Sequence, residues 1–423
     1  MRRLNSSANW LRRTARGAGL VAAALVALTS LDAQAVPSYA RQTGQDCAAC
    51  HIGAFGPQLT PYGMRFKLGG YTDSDGKDGK IPLSGMVVAS ATHNATADDN
   101  GKKNHSSLDE ASIFLAGRLT DHIGSFVQVT RDGVEHSTAL DQADLRFTTT
   151  ADVAGKDTIF GLSLNNNPSL TDPFNTLPAW SFPYISSPKS AGTGGADFVG
   201  FGWLEQKVWG LSGYTLWNNS VYGELGTYRA LSPSALSRLG IGKDSAVGEL
   251  SGSSYWRLGY TRDMKSRAWS VGLIGSNGTL KDRVSGDETA KFHDIGVDGS
   301  YQFLGTREHV MTLNASYIKE RDSVADDTQK ELKLNGSYYY QNTYGGSLGY
   351  FQNKSKSGTK DNRGYILQAD WTPWGKENSW AAPWANLRLG VQYVGFTKFT
   401  DENGPAAKPS DNNSLNIFAW TSF

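Results

Sequence analysis

Apolar side chains recur at every second position in segment after segment of this chain, and no other feature limits its fold so strongly. Ala111, Ile113, Leu115, Gly117 and Leu119 share one face, with Glu110, Ser112 and Arg118 on the other and only Phe114 and Ala116 out of pattern. Met311, Leu313, Ala315 and Tyr317 repeat the arrangement, as do Leu387, Leu389, Val391 and Tyr393. Each run spans about ten residues, enough to cross a bilayer as a tilted strand, with lipid on the apolar face and water on the other. A soluble sandwich shows the same alternation, so the connections must decide.

Sixteen such strands can be placed, from 81–92 to 413–423, among them 203–217, 308–320 and 328–341. Connections after odd-numbered strands are mostly long and polar ("NATADDNGKKNHSS", "ERDSVADDTQ", "TDENGPAAKPSDNN"), and those after even-numbered ones mostly tight ("DHI", "NN", "GTRE"). A sandwich has no reason to keep that parity, whereas an outer-membrane barrel has short periplasmic turns and long outer loops. The chain closes on Phe423 in "LNIFAWTSF", an alternating last strand with an aromatic end. The expected fold over 81–423 is therefore all-β: a transmembrane antiparallel barrel.

Residues 1–35 carry Arg2, Arg3, Arg12, Arg13 and Arg16, an apolar run from Leu20 to Leu31, and Ala33-Gln34-Ala35. That is the pattern of a cleaved secretory signal, because the run is short of the ~20 apolar residues that span a bilayer. Without it, 41 basic and 40 acidic side chains become 36 and 39, which disfavours a nucleic-acid partner.

The chain's two cysteines stand in "QDCAACHIG", as Cys47-Ala48-Ala49-Cys50-His51. A redox dithiol needs a βαβ setting, and a zinc site needs two further ligands at short spacing; neither is present. Cys-x-x-Cys-His in an exported chain fits covalent attachment of one haem c, with both sulfurs as thioethers to the vinyl groups and His51 as axial iron ligand. The bland alternative is a chance pair closing a strained local disulfide. For the sixth ligand, Met86 on the first strand leads, with Met64 close behind; a packing role for either, or an open site, stays possible. Residues 36–80 are too few to bury an adequate core alone. A haem supplies part of that core, and a wide barrel needs filling, so the module is expected to plug or cap the lumen.

"PSYARQTGQDCAACH", "LTPYG" and "FKLGGY" resemble the N-terminal module of the fused outer-membrane cytochrome–porins, a family that includes the iron oxidases of iron-oxidising bacteria. The match is dense over residues 37–71; "SLNNNPSLTDPFNTLPAWSFPY", residues 163–184, resembles a signature of the wider family, and the remainder matches mainly in length and strand pattern. The resemblance implies a monohaem cytochrome joined to a porin barrel, passing electrons from an extracellular donor, Fe(II) in the iron oxidases, to a periplasmic c-type cytochrome or other carrier. A solute porin whose haem segment is a structural plug or sensor is the rival. A soluble enzyme finds no Ser-His-Asp or paired-carboxylate arrangement.

Three further features are read modestly. "DSDGKDG", 73–79, has Lys77 where a calcium loop wants oxygen and reads as a turn. His93, His105 and His136, beside Asp98, Asp99, Asp109 and Asp132, are candidates for transient metal binding, with solvated loop residues the simpler reading. The stretch Pro168–Pro188, with Trp180, is too long for an idle loop and is expected to fold over or into the pore.

Overall fold

The computed structural model describes residues 36–423, apart from 78, 178–183, 186, 191–197, 282–288, 323–326, 402–403 and 407. The expected signal segment, 1–35, lies outside them. Sixteen strands form one closed antiparallel barrel in chain order. The ring closes where β1 (Leu83–Asn94) pairs with the last strand, Ser414–Ser422.

Two expectations about limits are corrected. The strand placed at 203–217 begins at Val208, because Val199–Trp203 form a buried helical turn instead. The long loop read in "ERDSVADDTQ" is short, since pairing runs from His309–Tyr340 out to Asp322–Asp327. The end with the tight turns also carries one long connection, 372–385.

The barrel turns buried polar side chains inward beside several apolar clusters and presents an apolar surface outward, unlike a soluble protein. Along Thr289–Phe303, Asp294, Asp298 and Gln302 are buried while Ile295 and Val297 face outward. Ile113, Leu225 and Leu313 are more than 60 % exposed on the same outer surface (66, 73 and 61 %). Tyr260, Tyr301, Tyr344 and Trp371, all outward, sit near the tight-turn ends of their strands as an interfacial girdle. Exposed apolar surface on that scale is stable only against lipid, and a closed β-barrel of this kind resides in the outer membrane. With the tight turns periplasmic, cysteines placed at Asn100 and Gly404 will react with a membrane-impermeant thiol reagent on intact cells and one at Asn219 will not. The reverse pattern would invert the topology. The third expected outer position, Asp326, lies outside the described residues.

Two segments fill the lumen. Residues 36–77 form a small helical region whose partners are spread round the ring. Ser38 N donates to Ser84 Oγ (3.1 Å), Gln58 Nε2 to Asn314 Oδ1 (3.1 Å) and Tyr71 Oη to Asp144 Oδ2 (2.7 Å); Gln302 Nε2 donates to the Leu59 carbonyl (2.9 Å) and Tyr214 Oη to that of Leu68 (2.8 Å). Only a segment inside the barrel reaches strands so far apart. Asp144 also accepts from Arg146 Nε and Ser163 Oγ, both at 2.7 Å, and Arg146 Nη1 donates to the Lys67 carbonyl. Breaking a fully buried pair of this sort costs about 3–5 kcal/mol, so the anchor to which Tyr71 and the Lys67 carbonyl are bonded is itself firmly set in the barrel wall.

The connection between Asn165 and Val208 enters from the opposite end, as expected for its Pro-rich part, although Trp180 lies outside the described residues. Gly200 N donates to Asp294 Oδ2 (3.0 Å) on one side; on the other, Ser90 Oγ donates to Ser187 Oγ (2.9 Å) and Gln392 Nε2 to the Ile185 carbonyl (2.7 Å). The two segments meet at Lys67, whose ammonium donates to the Leu170 and Asp172 carbonyls (2.7 Å each) and to Asn175 Oδ1 (2.6 Å).

Candidate functional site

Three short helices carry the cysteine motif: α1 (Pro37–Thr43), α2 (Cys47–Cys50) and α3 (Pro61–Leu68). Thr60 caps α3, accepting from Gly63 N (3.2 Å) while its hydroxyl donates to the Ala49 carbonyl (2.6 Å); Thr60 N donates to the Cys50 carbonyl (2.9 Å). Gly63 is required here, since a Cβ on it would stand 2.3 Å from the Cys50 carbonyl oxygen. The "LTPYG" run thus clamps α3 across the end of α2. In "FKLGGY", Gly70 has φ +73° and leaves no room for a side chain beside Thr148. Phe66 packs edge-on against Tyr39 (4.9 Å between centroids) and near Tyr71.

Cys47, Cys50 and His51 border a cavity of about 510 Å³ inside the barrel, within the ~300–1,000 Å³ range of cofactor sites. Tyr39, Phe66, Val88, Phe114 and Phe126 give it an apolar wall. Met86 lines the same cavity from β1 and is 9 % exposed. Met64 does not. On α3, Gly63, Phe66 and Lys67 share the face toward the cavity, while Met64 and Leu68, four apart, pack into a separate cluster with Phe174, Tyr214, Leu216 and Tyr222.

Burial pushes the His51 imidazole down to about 4, with the Gln58 and Pro57 carbonyls pulling the other way, so the ring is neutral at physiological pH. Its Nδ1 is buried without a hydrogen-bond partner. Burial pushes both thiols up, Cys47 to about 11 with help from Asp46 and Cys50 to about 12 with help from Cys47. Neither free thiol would ionise readily, the opposite of a redox-active dithiol.

The other singled-out residues divide. Asp75 accepts from Lys77 N (3.0 Å) and pairs with Lys80, so residues 75–77 make a local turn rather than offering the carboxylate to a metal ion. His93 is exposed and bonded to Asn104 (2.8 Å), and His136 is exposed too. Asp109 and Asp132, in contrast, line the cavity. Glu110 and Asp141 join them on the same lining.

The chain matches no protein-family model and no curated protein. Solved structures similar to it include Salmonella typhi OmpF in complex with daunomycin (14 % identity, 81 % of this chain and 97 % of that one, TM-score 0.48). The outer membrane channel DcaP of Acinetobacter baumannii is similar at 15 % identity over 81 % and 96 % of the chains (TM-score 0.46), and an anion-selective porin from Comamonas acidovorans at 12 % over 80 % and 98 % (TM-score 0.46). What they share with this chain is a barrel. The membrane assignment here stands on the closed ring and its apolar exterior.

Proposed function

We propose that this protein is an outer-membrane electron carrier with one covalently held haem c, taking electrons from an extracellular donor and delivering them to a periplasmic carrier such as a c-type cytochrome. The observation that supports this reading is convergence: Cys47, Cys50 and His51 from the lumen segment and Met86 from the barrel wall border a single apolar-walled cavity. The residues present fit the group. His51 offers a neutral buried imidazole with an unpartnered nitrogen, and the aromatic wall suits a porphyrin face. When bound, haem supplies a one-electron Fe(III)/Fe(II) couple. Cys47 and Cys50 would hold it by thioethers, and His51 and Met86 would be the residues that ligate its iron. Phe114, Phe126 and Val88 exclude water around them, and the clamp of Thr60 and Gly63 keeps α2 in place.

The rival reading, a solute porin with a structural plug or sensor, draws on the barrel architecture. Against it, two segments cross the lumen. Whole-cell spectra separate the readings: ferrous iron, the donor the sequence resemblance implies, added outside intact cells, will bring up the reduced haem band. A band that answers to dithionite but to no external donor would favour the porin.

A further inference from the structure

We propose that the outer part of the lumen cavity binds a hydrated divalent cation. Two β-bulges create the site. Between β1 and β2 (Asn104–Arg118) the register slips so that Val88 faces Glu110 and Ala89 faces Leu108, leaving Asp109 as the extra residue. Between β3 (Ile123–Asp132) and β4 (Thr138–Asp152) it slips again, Gln128 facing Gln142 and Val129 facing Leu140, with Asp141 extra. Each bulge turns two successive side chains, Asp109 with Glu110 and Asp141 with Gln142, onto the cavity. Asp132 completes the lining and is the cross-strand partner of Glu110.

Among the described residues none of these four carboxylates is in an ion pair. The cavity's two cations are engaged elsewhere, Lys67 by the 170–175 carbonyls and Asn175, and Arg388 by Asp370. Asp109 is 6 % exposed and its Oδ2 has no partner; Gln142 is 7 % exposed and its Oε1 has none either, its Nε2 being given to Glu205. Both orphaned atoms are acceptors beside uncompensated negative charge. An anion is repelled there, and a neutral donor would answer the hydrogen bonds but not the charge. Among the described residues no three His, Cys, Asp or Glu side chains converge closely enough to ligate a metal ion directly, so the cation keeps its water shell. Because Met86 pairs with Ser112 and Val88 with Glu110, the carboxylates begin two residues, about 7 Å, beyond Met86. Binding rests on this geometry alone; only a part for the cation as electron donor would rest on the function proposed above.

The test uses the full-length protein and Mn²⁺ alone, with uptake followed by loss of the free-ion EPR signal. Wild type and Asp98→Asn in an outer loop will bind alike, while Asp109→Asn/Asp141→Asn will bind at least about tenfold more weakly. Uptake by the double variant equal to wild type, or none by wild type at millimolar Mn²⁺, overturns the site and leaves the haem to its own test. Heat-modifiable migration checks that each barrel has closed; if the double variant fails there, Glu110→Gln makes the same comparison.

Discussion

Replacing Cys47 and Cys50 together by alanine will abolish covalent haem and leave a barrel that still closes. Both side chains border the cavity and belong to none of the packed clusters of the lumen. The barrel is held by its own ladders, including the closing pair of β1 with Ser414–Ser422, and by an apolar exterior the motif does not touch. The lumen segment keeps the anchors at Lys67, Tyr71 and Gln58. Denaturing electrophoresis with haem staining will show a band for wild type and none for the variant, and unheated samples of both will migrate as folded barrels. Stain persisting on the variant would overturn the attachment assignment.

Met86→His and Met64→His will behave oppositely. If Met86 supplies the sixth ligand, histidine there keeps a six-coordinate low-spin spectrum but lowers the potential, by a sizeable part of the ~0.8 V that axial ligands span, because imidazole lacks the thioether's preference for ferrous iron. Met64 lies 1 % exposed among Leu68, Phe174, Tyr214, Leu216 and Tyr222. A histidine in that apolar cluster costs about 1–3 kcal/mol of unmet polarity, so Met64→His will lower the thermal midpoint and leave the potential nearly unchanged. Redox titration and melting of each variant measure the pair. Loss of the sulfur-to-iron charge-transfer band in Met64→His but not in Met86→His would reverse the assignment.

The strands were legible because lipid on one side and a polar interior on the other force a period of two, which survives any loop sequence. The motif was legible because its spacing is short and local. What escaped reading lies where periodicity fails. A bulge shifts the alternation by one, so nothing in "LDEA" or "LDQA" says that Asp109 with Glu110, or Asp141 with Gln142, turn inward together. The two methionines could not be ranked by distance along the chain: Met64 is only fourteen positions past Cys50, yet its turn of α3 faces the wall, while Met86 arrives from another element. Nothing local marks Asn165-Asn166-Asn167 as interior, but all three are buried, the first accepting from Tyr228 Oη (3.0 Å) and the second from Ala143 N (2.8 Å). Such contacts join residues far apart in sequence and carry no local pattern.

The enclosure of the cysteine motif sets an order of biogenesis. Its helices are tied to strands on every side of the ring and both cysteines line a cavity inside it, so an attachment enzyme that must grip this stretch as an open chain has no such substrate once the last strand has zipped onto the first. If the motif carries haem, ligation must therefore come first, on the newly exported chain in the periplasm, and the strands must then assemble around a loaded segment. A cell short of haem would then face a sorting problem at the assembly machinery, where empty and loaded chains present the same C-terminal strand and differ only in what the barrel wraps.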